Sequence, residues 1–206
     1  MAARPDAIAR NYHLRHRALR REVERRLGLA YDRVREDDIR ASYAAFVPVA
    51  ARTITAAQGS LQTLTRAYIR GIGRFDPEPT PKLAGRSEAG TMTEALTGIM
   101  PFILGAIGRG ESPQTALTIG ASYIDRMADN ELTRVVDAEI DAQVKTQRVT
   151  GWIGTTFGAT DECVGNEGPH TFDEEIYRHP FCRCQRDLIF EDVEYTVPAI
   201  SFGAAA

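Results

Sequence analysis

Cysteine is scarce in this chain, three residues in 206, and all three (Cys163, Cys182 and Cys184) fall in one short region near its end. An odd and low count excludes the disulfide framework that holds small secreted domains together, and leaves free thiols, a single pairing, or metal ligands. Lysine stands only at positions 82 and 145, so arginine carries nearly all the positive charge. No uninterrupted run of about 18 apolar residues occurs, and no membrane span is expected. The basic N-terminal segment lacks an apolar h-region and a small-residue cleavage site, so secretion is not expected and a reducing cytoplasm is. Internal repeats and low-complexity blocks are absent. What is present, 43% hydrophobic residues over this length, suffices for one or two modest domains.

The net charge of −3 is spread unevenly. Residues 1–40 carry a net +4 and 41–128 a net +2, whereas 129–206 carry −9. Such asymmetry fits a chain whose ends face different partners, the basic end accepting an acidic surface or phosphates and the acidic end repelled by them. Two ordinary solvated surfaces would give the same numbers.

The periodicity predicts a mainly α fold, with long N-terminal helices followed by a small C-terminal α+β domain. Ile8, Tyr12, Leu19, Val23 and Leu27 space an amphipathic helix from Pro5 that stops at Gly28. A short second helix is expected at 37–46, capped by Asp37 or Asp38, with Pro48 as a boundary or the first turn of the next. That next helix runs from Val49 to Gly71 on an apolar stripe of Ile54, Leu61, Leu64, Tyr68 and Ile69. Proline and glycine in 75–90 mark the main linker, between an N-terminal helical region at 1–74 and a second at 91–148. Thr91 to Ile107 reads as one helix; Ser112 and Pro113 read as N-cap and first residue of another that passes Val144, with Asp129 or Asn130 as a point of interruption. From residue 149 to 194 β-branched and aromatic residues, densest at 149–157 and 186–193, predict two or three short strands in a small Cys/His domain, and 195–206 form a tail.

The chemistry-bearing stretch is His179 to Cys184, reading HPFCRC. On a strand, period-two alternation would set the sulfurs of Cys182 and Cys184 on one face, opposite Arg183. With His179 and with Cys163 from the preceding loop they would form a Cys₃His zinc shell, closed and therefore structural, with His170 as the substitute imidazole. Zinc would compensate an acidic unit that has few large apolar side chains. The competing reading is a thiol-bearing β-hairpin, a zinc-knuckle-like element without metal, in which Cys packs as a small hydrophobe and His179 and Arg183 make hydrogen bonds and ion pairs.

At these residues the chain resembles the MuF-like minor capsid, or head morphogenesis, proteins of tailed bacteriophages. Their C-terminal domain carries D-x-x-C-x-x-C, a glycine-containing turn and then HPxCRC. HPFCRC matches in full; Asp161 and Cys163 fall near the first half, Gly168 and Thr171-Phe172 resemble the turn, and the second cysteine is replaced at Asn166. Arg134, Asp137 and Glu139 resemble the helix preceding this domain, and Trp152 its aromatic strand. The N-terminal half is similar in style to helical minor capsid proteins of actinobacterial phages, a group often labelled capsid maturation proteases. The resemblance implies a structural role: a portal-associated virion protein, present in the host cytoplasm during assembly, assisting head assembly or DNA packaging and exit. It implies portal protein as partner, major capsid or scaffold protein as further contacts, and weak contact with phage DNA.

Enzymatic alternatives are a capsid maturation protease or a zinc nuclease. Ser87, Ser112 and Ser122 lack a nucleophile-elbow context, and His13, His16, His170 and His179 belong to no motif tying a histidine to serine and acid. A nuclease is disfavoured because a C-terminal unit of net −9 repels the phosphate backbone. A DNA-binding accessory protein would use Arg15, Arg17, Arg20, Arg21, Arg25 and Arg26, but Glu22 and Glu24 dilute that stripe and no aromatics interleave it.

Overall fold

The computed structural model describes residues 5–73, 89–144, 149–155, 165–171, 173–174 and 185–191. Its elements are α1 (Pro5–Tyr31), α2 (Ile39–Gly73), α3 (Ala89–Thr97), α4 (Met100–Gly108), α5 (Pro113–Val144), β1 (Val149–Thr155), β2 (Gly168–Thr171) and β3 (Gln185–Phe190). The fold is mainly α with a small antiparallel sheet near the C-terminus, as the periodicity predicts. The linker expected at 75–90 falls almost entirely outside the described residues, as does the tail at 195–206.

The buried face of α1 reads Tyr12, His16, Arg20, Val23, Leu27, a single stripe at spacings of three and four in which two polar residues occupy core positions. The helix runs past Gly28, because a helical glycine costs only about 1 kcal/mol while Leu27 on its inner side is fully buried. Asp38 caps α2, its Oδ1 accepting from the Ala41 N–H at 3.3 Å. Pro48 does not divide that helix. It lies inside one continuous 35-residue element, a placement that costs roughly 3 kcal/mol. Phe46, Val47, Ala50, Ala51 and Ile54 are all buried around it, and Phe46 and Ile54 alone return about 3–6 kcal/mol.

The expected helix at 91–107 is two. Pro101 has no N–H for the carbonyl one turn back, so the chain turns at Gly98–Ile99 and α4 starts afresh with the proline in its first turn. Residues 90–108 reach a mean hydropathy of 1.3, yet they turn midway and bury Met92, Leu96, Ile99, Ile103 and Ala106 in the core. α4 ends in a Schellman motif: Gly110, at φ 97°, donates to Ile107 and Glu111 to Ala106. Ser112 then caps α5 through the Thr115 N–H at 3.1 Å. α5 runs without interruption through Asp129 and Asn130, because Asp129 is held as a buried ion-pair partner of α1.

α2 packs against α1, α3 and α5, with α4 against α5. The sheet order is β2-β1-β3, all antiparallel. Arg186, Leu188 and Phe190 alternate inward along β3, and Trp152 of β1 pairs with Leu188 on one side and His170 on the other. Val149, Trp152, Leu188 and Phe190 belong to the same apolar cluster as the helices. Gly151 and Gly154 let β2 pass close over β1: a Cβ on either would collide with the backbone carbonyl of His170 or Asn166.

Candidate functional site

Cys163, His179, Cys182 and Cys184, the expected zinc shell, lie outside the described residues, and so do Asp161 and Phe172. The described residues are those that frame the motif: β1 and β2 before it and β3 directly after it. Among them no group of three or more His, Cys, Asp or Glu side chains gathers to hold a metal ion.

His170 sits on β2 between the sheet and a short turn. Its ring stacks flat on Trp152, centroids 4.0 Å apart and planes 13° from parallel. Trp152 is buried, and its indole N–H donates to the Glu174 carbonyl at 3.0 Å. His170 Nδ1 lies 2.9 Å from Glu174 Oε2, while the other carboxylate oxygen accepts from the Thr171 N–H at 2.9 Å and its hydroxyl at 2.8 Å. The Thr171 backbone bond, followed by His170 and the Thr171 hydroxyl, holds the Glu174 carboxyl down at about 2. His170 Nε2 is buried with no hydrogen-bond partner among the described residues. A buried imidazole nitrogen left bare, with a carboxylate on the opposite nitrogen, suits a soft divalent metal. Asn166, where the family resemblance expects a second cysteine, is buried against Gly154.

The sheet is fastened to the helices by ion pairs and hydrogen bonds. Asp187 of β3 accepts from His13 Nε2 of α1 and from the Tyr68 hydroxyl of α2, both at 2.9 Å. Arg186 reaches back to α5, to Asp141 at 2.7 Å and Asp137 at 3.3 Å. Thus Asp137, on the helix that the family resemblance singled out, holds the first residues after the HPFCRC motif. Glu139, midway between Arg186's two partners and so turned to another side of α5, is fully buried and takes Arg66 at 2.7 Å and Gln62 at 3.1 Å. Arg134 makes an exposed pair with Glu131.

The arginines of α1 divide into two sets. Arg20 is buried, donating to Asp129 at 2.8 Å and Thr133 at 2.7 Å. Arg10, Arg15, Arg17, Arg21, Arg25 and Arg26 lie on the exposed side, where Arg25 and Arg26 grip Glu22 and hold its carboxyl at about 2. Between α1 and α5 opens a cleft of about 450 Å³, floored by Val23, Leu27 and Ile124 and edged by Glu24, Asp32 and Asp125.

For the hydrolase alternative, Ser112 is spent as a helix cap and Ser122 donates to the Thr118 carbonyl on α5, while Ser87 lies outside the described residues. His16 is stacked on Tyr12 in the core. Sequence reasoning missed the Asp187 and Arg186 contacts, because nothing in strand spacing tells which helix a strand residue meets. The four-residue step from His170 to Glu174 points to no contact by itself, and only the turn between them brings the two together. Comparison with family models, with curated proteins and with solved structures finds no match for this chain.

Proposed function

We propose that this chain is a structural minor capsid, or head morphogenesis, protein of a tailed bacteriophage, seated at or near the portal and aiding head assembly or DNA packaging and exit. The observation that carries the reading is HPFCRC, matched in full and followed at once by a strand anchored to the helices. Consistent with it, Asp187 and Arg186 link that strand to α1, α2 and α5, as a compact module hung from a helical body would require. The role needs no turnover.

The docking surface is the outer face of α1, where Arg10 and Arg17 flank Leu14, itself 52% exposed, and Arg21 and Arg25 continue the same stripe. An apolar contact in a line of arginines fits an acidic protein surface, with weak contact to DNA as a secondary consequence. Deleting residues 1–40 would strip Tyr12, Val23 and Leu27 from the core, so the test is charge reversal on the folded chain. Arg17→Glu with Arg21→Glu should weaken capture of portal protein at least about tenfold and flatten its salt dependence. Capture equal to that of the unaltered chain would remove the docking assignment.

A further inference from the structure

Helix α4 has no polar side chain: every residue from Met100 to Gly108 is apolar or glycine, and only Ile103 and Ala106 are fully buried. Of the apolar stretch at 90–108, 28% lies inside the fold. The face left outside is ordered. Phe102 is 53% exposed, yet its ring stacks on Tyr123 of α5, itself 37% exposed, with centroids 5.0 Å apart and planes 28° from parallel. The Arg126 guanidinium stands 5.8 Å from the centre of the Tyr123 ring. Phe102, Gly105 and Arg109 follow at helical spacing on one side of α4, and Arg109 Nη1 comes to 3.4 Å of the point a Cβ on Gly105 would fill. Two exposed aromatic rings with two arginines beside them have the composition of an interface hot spot.

Two residues along α5 the chemistry inverts. Asp125 stands about 200° around the helix from Tyr123, at the edge of the cleft against α1. That cleft, about 450 Å³, has Val23, Leu27 and Ile124 as its floor and Glu24, Asp32 and Asp125 at its rim. Arg20 and Asp129 also line it but neutralise one another at 2.8 Å, so the rim is negative. We propose that copies of this chain associate head to tail, the stacked Phe102 and Tyr123 of one copy entering the α1–α5 cleft of the next, with Arg109 and Arg126 facing its acidic rim. An apolar projection meets an apolar floor, and two positive charges meet three negative ones. Projection and cleft lie on opposite sides of α5, so the contact is heterologous and runs beyond a dimer to a ring or a chain. It uses neither Arg17 nor Arg21, so it stands or falls independently of docking to portal.

Sedimentation velocity of the full-length chain over a concentration series tests this. The unaltered chain, 22.7 kDa as a monomer, should grow past the dimer as concentration rises, and grow less at about 1 M salt than at about 0.1 M. Phe102→Asp, which spoils the projection, and the pair Asp32→Arg with Asp125→Arg, which reverses the rim, should each weaken self-association at least about tenfold. All three positions are exposed; should Phe102→Asp fail to fold, Arg109→Glu with Arg126→Glu spoils the same projection by charge. Mixing a projection variant with the rim variant should restore a one-to-one dimer and nothing larger, since one intact projection then meets one intact cleft. An unaltered chain that stays monomeric up to about 0.5 mM would overturn the proposal. So would undiminished self-association of the rim variant, which would mean that the aromatic pair meets a different surface, or a mixture in which no dimer forms.

Discussion

Replacing Asp129 by alanine tests a buried ion pair between α1 and α5. The Arg20 and Asp129 side chains are 8% and 9% exposed and 2.8 Å apart. Their net worth against an apolar pair is small, because desolvation consumes most of the attraction. Removing one partner is different, since the guanidinium stays buried without its counter-charge, and the cost is about 3–5 kcal/mol. Arg20 keeps the Thr133 hydroxyl at 2.7 Å and a 3.5 Å contact to His16 Nε2, which places the expected loss near the lower end, about 3 kcal/mol. For a chain of this length that lowers Tm by about 6–12 °C. Urea unfolding followed by far-ultraviolet dichroism and by the single tryptophan should show a lower midpoint at unchanged slope. The double variant Arg20→Met with Asp129→Leu should recover most of the loss, since no charge is then stranded. A loss below about 0.5 kcal/mol in Asp129→Ala would mean that water screens the pair as at a surface, and the reasoning about the α1–α5 contact would fail.

Two glycine substitutions should move stability in opposite directions, read from the same unfolding curves. Gly28→Ala places a methyl in α1 where no described atom lies within 4 Å, so it should stabilise by about 0.5–1 kcal/mol. Gly154→Ala would drive a methyl into the Asn166 carbonyl and should separate β2 from β1, exposing Trp152 and red-shifting its emission. Acid should act on the same turn: with the Glu174 carboxyl held at about 2, its contribution is complete above the ordinary carboxylate range and is lost as pH falls from about 4.5 to 2. Glu174→Gln should flatten the pH dependence of Trp152 emission over that window, and an unchanged profile would count against the bond. At the alkaline end Tyr31, pushed up to about 12 by burial, and Tyr12 and Tyr43, pushed higher still for the same reason, should stay silent in a tyrosinate titration through the range near 10 where a free phenol ionises.

Helix periodicity made most of this fold readable, since Tyr12, Val23 and Leu27 on α1 and Ile54, Leu61, Tyr68 and Ile69 on α2 are buried as their spacing implies. Two of the errors share one cause, a local signal overruled by tertiary contact. Pro48 looked like a boundary, but Phe46, Val47, Ala50 and Ala51 need one continuous face to fill the core. Asp129 looked like an interruption and is instead a buried partner for Arg20, which itself looked like part of a phosphate-binding stripe. Pro101 erred the other way, cutting one apolar run into α3 and α4 through its missing N–H. The candidate site was legible only as composition: the three cysteines and HPFCRC stand out in the sequence, whereas the pairing of His170 with Glu174 and its stacking on Trp152 depend on a strand register that no spacing rule supplies. Likewise the clasp of His13 and Tyr68 on Asp187 joins positions more than 100 residues apart.

The most direct test of the proposed virion role is quantitative mass spectrometry on purified, DNA-filled particles grown from the source of this chain, with portal and major capsid proteins as internal standards. A structural minor capsid protein predicts this chain in every preparation, at a few copies per particle and in constant ratio to portal. Its absence from filled particles that contain portal in full would contradict a virion protein seated at the portal.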